Sequence, residues 1–80
     1  MMNNILRLPA VKASTGLSRS TLYLRIAQGV FPKPVSLGAR AVGWPDNEVA
    51  ALNAARSAGK SESEVRELVV KLEAARKTVA

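Results

Sequence analysis

Arg19, Ser20 and Tyr23 stand close together in the run Thr15-Gly16-Leu17-Ser18-Arg19-Ser20-Thr21-Leu22-Tyr23. They bring a guanidinium, hydroxyls and a phenol to one short segment. Such groups donate hydrogen bonds to oxygen and nitrogen acceptors, and the guanidinium adds a permanent positive charge. Further cations follow at Arg25, Lys33 and Arg40, and Arg7 and Lys12 precede them. From Met1 to Pro45 there is no Asp or Glu. From Asp46 onward acidic and basic residues balance, so the net charge of +6 belongs entirely to the first half. This asymmetry suits a polyanionic partner, and the local motif points to duplex DNA.

The same inventory argues against catalysis. The chain has no histidine and no cysteine, which removes the commonest general base and metal ligand, thiolate sites and disulfides. The acidic residues alternate with Lys and Arg as on a solvated helix face and form no paired-carboxylate site. The glycines are dispersed and make no phosphate-cradling loop. No enzyme activity, cofactor or metal is expected. The start lacks the apolar run of a signal peptide, and no stretch approaches the ~18 residues that cross a bilayer. A cytoplasmic protein making no membrane contact is the expectation.

The elements that must position these side chains are legible in outline. Ile5-Leu6-Arg7-Leu8 reads as an edge strand or extended lead-in, with Pro9 opening a short helix whose Val11 joins Leu8 and Leu17 in the core. Gly16 permits a tight turn, and Ser18 is placed to cap a second helix over 19–28, with Leu22 and Ile26 as its buried stripe. Gly29 ends that helix, and the two prolines of Phe31-Pro32-Lys33-Pro34 keep the next segment extended. Phe31 and Trp44 are expected as core anchors. Residues 35–44 alternate as a one-sided hairpin with Arg40 near its tip, and a hairpin after a helix-turn-helix is a wing. Pro45-Asp46-Asn47-Glu48 opens a third helix, with acid favoured at its positive end. Ser61 and Glu64 match a capping box for a fourth helix over 62–79, whose Val65, Leu68, Leu72, Ala75 and Val79 fall in a heptad-like stripe. The fold class is therefore mainly α with a small β-hairpin: a winged helix-turn-helix over residues 1–58, plus a helical extension over 59–80.

Five segments carry a more specific signal. They are Leu6-Arg7-Leu8-Pro9, Thr15 to Tyr23, Gly29-Val30-Phe31-Pro32-Lys33-Pro34-Val35, Leu37-Gly38-Ala39-Arg40-Ala41-Val42-Gly43-Trp44, and Glu48-Val49. In order and spacing they resemble the AlpA-type family of small prophage regulators, in the winged helix-turn-helix group that includes phage excisionases and MerR-type DNA-binding domains. The likeness covers roughly residues 5 to 53. Members often carry an aromatic where Leu52 stands, which implies a less firmly docked third helix here. The helix after Gly59 extends beyond the family's core.

The resemblance implies a sequence-specific transcriptional regulator of a phage or prophage region, associated with a bacterial nucleoid, with activation favoured. Arg19, Ser20 and Tyr23 are then expected at base edges in the major groove, and Ser18, Arg25, Lys33 and Arg40 at phosphates or on the wing. Ser18 is also expected to cap its helix. Two other functions fit the same residues: an excisionase-like factor that bends DNA for a recombinase, or a DNA-anchored module that recruits RNA polymerase through helix 62–79. Val65, Leu68, Leu72 and Val79 are candidates for a homodimer or partner face, and two copies on repeated half-sites would enlarge a small set of base contacts.

Overall fold

Serine caps and prolines divide the chain into short elements. The computed structural model describes residues 4–76. In chain order they form β1 (Ile5–Leu6), α1 (Leu8–Thr15), α2 (Arg19–Ala27), β2 (Val35–Ser36), β3 (Val42–Pro45), α3 (Asp46–Ser57) and α4 (Glu62–Ala75). The architecture is mainly helical, a winged helix-turn-helix with a small antiparallel sheet and an added C-terminal helix.

The turn between α1 and α2 follows from local chemistry. Gly16 adopts φ +73, and its N–H closes α1 onto the Lys12 carbonyl at 2.8 Å. A left-handed backbone there costs glycine little and other residues more. Ser18 then caps α2, its Oγ accepting from the Thr21 N–H at 3.2 Å. Thr15 Oγ1 donates to the Val11 carbonyl at 2.7 Å, so both ends of the turn are tied to side chains.

The wing is rooted more broadly than a hairpin. β3 is the centre of a three-stranded sheet in the order β1-β3-β2. β1 pairs with it at Ile5–Pro45 and Leu6–Trp44, and β2 at Val35–Gly43 and Ser36–Val42. The lead-in strand thus anchors the wing to the body of the domain. Gly43 lies where the strands crowd. A Cβ there would come within 2.5 Å of Ile5 Cγ2 and 2.9 Å of the Leu6 carbonyl oxygen. The backbone atom cannot yield as a flexible side chain would, so Gly43→Ala should destabilise the domain by about 1–3 kcal/mol, the range for overpacking. Chemical denaturation of the purified variant checks this, and an unchanged midpoint would contradict the crowding.

Trp44, Leu22, Leu52, Val11 and Val49 are almost wholly buried. Trp44 Nε1 donates to the Pro32 carbonyl at 2.9 Å, which pins the extended Phe31–Pro34 segment against β3. Phe31 packs edge-on to the same indole, with centroids 6.3 Å apart. Leu52 is completely buried in this core, so the smaller side chain still seats α3.

The Ser61–Glu64 capping box forms in full at the start of α4. The helix then lies back on the domain. Val65 and Val69 belong to the same core cluster as Trp44 and Leu22, and Leu68 and Leu72 pack against that cluster. Val69 was absent from the expected stripe; it lies four residues after Val65 and completes the inward face. Val79 falls outside the described residues. Polar anchors reinforce the packing. The Glu73 carboxylate accepts from the Lys33 N–H at 2.8 Å, and Arg66 Nε donates to the Gln28 carbonyl at 3.0 Å.

One acidic residue departs from the expected solvated face. Glu48 is 3% exposed, and its carboxylate accepts from Arg76 Nε at 2.9 Å and also from Arg76 Nη2. The hydrogen bond to Glu48 is the main reason that the Arg76 guanidinium is held above its ordinary range, against the opposing effect of burial. The burial is tolerated because the pair is bidentate and Arg76 also donates to the Lys33 carbonyl at 2.8 Å.

Candidate nucleic-acid interface

α2 turns Leu22 fully inward and Ile26 partly so, leaving the opposite face to solvent. Arg19 and Ser20 occupy its exposed first turn. They are not placed alike. The Arg19 guanidinium carbon stands over the Tyr23 ring, 5.3 Å from its centroid. Tyr23 is 37% exposed, and its ring meets Trp44 edge-on at 6.5 Å. A line of contact therefore runs from the buried indole through the phenol to an exposed guanidinium. One ring serves both as packing and as surface, because an aromatic side chain offers an apolar body and a polar tip. Arg19 is held at the outer end of this line by a cation–π contact, and among the described residues no hydrogen bond or ion pair occupies its donor edge, which suits a planar, two-acceptor partner.

Ser18 is committed to the fold. Besides capping the Thr21 N–H, its Oγ donates to Thr21 Oγ1 at 2.9 Å and stands 3.4 Å from Ser20 Oγ. Ser20 therefore has its hydroxyl beside a cap rather than isolated in solvent.

Arg25 lies on the other flank of α2 and is half-buried. Its Nε is shielded from solvent and has no hydrogen-bond partner among the described residues. The side chain borders a hollow between α2 and the α3–α4 turn, shared with Thr21, Leu24, Gln28, Arg56, Lys60 and Glu62. Arg56 and Lys60 thus add two cations beside α2 that charge balance hides in the sequence: each lies in the half where acids and bases cancel.

Lys33 and Arg40 project from separate segments. Lys33 is exposed, and α4 fixes its backbone from both sides: Glu73 accepts from its N–H and Arg76 donates to its carbonyl. Arg40 is exposed in the β2–β3 connection, which is closed by the Leu37 N–H on the Ala41 carbonyl at 2.8 Å. Among the described residues no hydrogen bond or ion pair joins either side chain to α2. Val65, Leu68 and Leu72 face the domain's own core, whereas Val70 is an exposed large apolar residue of α4.

Chemically, the site offers donors and positive charge on a convex helix with cations on both flanks. Among the described residues there is no cluster of three potential metal ligands and no helix long and apolar enough to cross a membrane.

Comparison with known proteins places the chain. It is 51% identical over 55 residues to an uncharacterized protein, ORF88, of Enterobacteria phage P4, an alignment that covers 69% of this chain and 62% of the phage protein. It is 41% identical over 59 residues to the DNA-binding transcriptional activator AlpA of Escherichia coli strain K12, covering 60% of this chain and 84% of that one. No solved structure matches the chain at a significant level. The family described as prophage CP4-57 regulatory protein (AlpA) matches residues 4–51, from the start of β1 to the middle of α3. That span contains the helix-turn-helix, the wing and every candidate contact residue up to Arg40, and the chain belongs to this family of prophage regulatory proteins.

Proposed function

We propose that this protein is a sequence-specific DNA-binding regulator of transcription in a phage or prophage region, and that it acts as an activator. The observation that carries the reading is the Arg19 guanidinium, braced on Tyr23 at the exposed start of α2, inside a half-chain without acidic residues. In a helix-turn-helix the first turns of the second helix enter the major groove. Arg19 then donates twice to guanine O6 and N7, Ser20 reaches a neighbouring base edge, and Tyr23 orients Arg19 while its hydroxyl meets a base or phosphate. Arg25, Lys33 and Arg40 grip phosphates, Arg40 from the wing along the adjacent minor groove, and Ser18 holds the first turn toward the backbone. The name of the Escherichia coli relative supports both DNA binding and the activating sign.

A module of this size makes few base contacts, so two or more copies on repeated half-sites supply the useful specificity. Selection from a random duplex library tests the reading. A sharp motif, preferred by about 10³ over scrambled DNA, is the expected result. Tight, salt-sensitive binding without any motif would overturn it in favour of an architectural DNA-bending role. Within the same assay Lys33→Ala and Arg40→Ala should weaken the selected and scrambled duplexes alike. Each should also reduce the slope of log affinity against log salt by about one. A loss confined to the selected duplex would remove that residue from the phosphate-contacting set.

A further inference from the structure

Leu24 is 56% exposed on α2, between the flanks that carry Arg19 and Arg25. At about 100° per residue, Leu24 stands about 160° from both Leu22 and Ile26, the two side chains that α2 directs toward the core. It is therefore the centre of the outward face. Its neighbours on that face are Ser20, one turn earlier, and Ala27 and Gln28, all exposed, while on its Thr21 side it forms the outer rim of the hollow between α2 and the α3–α4 turn. They are small or polar, so Leu24 is a single apolar projection and not part of an apolar patch of the kind that seats a protein partner.

We infer that Leu24 is a specificity-determining residue that reads the C5-methyl group of a thymine in the major groove. The inference rests on the reading of α2 as the recognition helix. If Ser20 meets a base edge at the first turn, with the long Arg19 side chain reaching in from the flank about 140° away around the helix, the face centred on Leu24 is directed at the groove floor. Leucine can neither donate nor accept a hydrogen bond there. The one apolar feature that the major-groove edge of a base pair offers is the thymine methyl, and contact with it removes apolar surface from water on both sides. Ser20 and Leu24 are separated by about 6 Å along the helix axis, which is about two base-pair steps. The methyl read by Leu24 thus belongs within about two base pairs of the position read from the first turn.

The experiment uses the full-length protein and the duplex recovered by selection, with each thymine replaced singly by deoxyuridine, which removes only the methyl. Wild-type protein should lose about fourfold in affinity at one thymine, the scale of one buried methyl group, and less than twofold elsewhere. Leu24→Ala should bind the unmodified duplex about as weakly as wild type binds the methyl-free one, and should show no further loss on that duplex. Because Leu24 is exposed, the variant should melt with the wild type, which separates a lost contact from a lost fold. Insensitivity of the wild type to every methyl would overturn the inference, as would an equal methyl effect in Leu24→Ala or a sensitive thymine far from the position that Arg19→Ala relaxes. Failure to recover any preferred duplex would overturn it too, together with the regulator reading on which it rests; a sharp motif with no methyl effect would overturn the Leu24 assignment alone.

Discussion

A chain ended after Ser57 should lose its cooperative melting transition altogether. The case begins with Val65 and Val69, which are buried in the core with Trp44 and Leu22. Each such side chain contributes about 1.5–3 kcal/mol by leaving water. Truncation also strands Glu48, which is 3% exposed and has its carboxylate bonded to Arg76. Breaking one side of a pair that stays buried costs about 3–5 kcal/mol, and less here to the extent that removing α4 lets water reach Glu48. A domain of some 60 residues has a total stability near the lower end of about 5–15 kcal/mol, so these losses exceed it. Circular dichroism of residues 1–57 against the full chain reads the outcome directly. A sigmoidal melt for the shortened chain would show that α4 is dispensable for folding.

Arg76→Ala isolates the polar part of this argument. It should lower stability by about 3 kcal/mol, at the low end of the range because the Arg76 side chain is 23% exposed. Replacing Glu48 and Arg76 together by leucine should recover most of the loss, since no unpaired charge then remains. The consequence reaches the interface, because Arg76 and Glu73 fix the backbone of Lys33. Loss of DNA binding on deleting α4 would therefore report a lost fold before it reported a lost partner.

What was legible in the sequence was local. Gly16, Ser18 and the Ser61–Glu64 box act through backbone groups at most four residues away, and each was placed by its own chemistry. Contacts across long stretches of chain left no such trace. Glu48 and Arg76 are 28 residues apart and look like any two solvated charges until α4 folds back. β1 was readable as a strand, but not its pairing with β3 across the whole helix-turn-helix. Leu52 resembled a weak point when set against an aromatic, yet it is fully buried, since the fit of a core depends on its neighbours as much as on residue size. The interface follows the same division. Arg19 and Tyr23 lie four apart on one helix, a spacing at which side chains meet, and the guanidinium stands over the ring. Leu24 was not singled out: it lies opposite the Leu22–Ile26 stripe, but a leucine's residue type does not show that it is 56% exposed, and only the fold does.

The second large effect concerns the selectivity of Arg19. If its guanidinium reads a guanine, Arg19→Ala should cost about 5- to 150-fold on the selected duplex, in line with the ~1–3 kcal/mol of a two-point contact, and little on scrambled DNA. Arg19→Lys should rescue poorly, since a lysine ammonium is a point charge without the planar fork. A phosphate contact predicts the opposite pattern on both counts: equal losses on the two duplexes, and rescue by lysine. Tyr23 supplies an internal control, because its ring lies under the guanidinium and against Trp44. Tyr23→Phe keeps that ring and should keep the preference, whereas Tyr23→Ala should cost a few-fold through the lost cation–π contact and the freed rotamers of Arg19. If Tyr23→Phe alone removes the preference, the phenol hydroxyl and not the ring carries the role, and Tyr23 joins Arg19 as a direct base contact. If both Tyr23 variants behave as wild type, the stack is incidental, and Arg19 finds its guanine without being held.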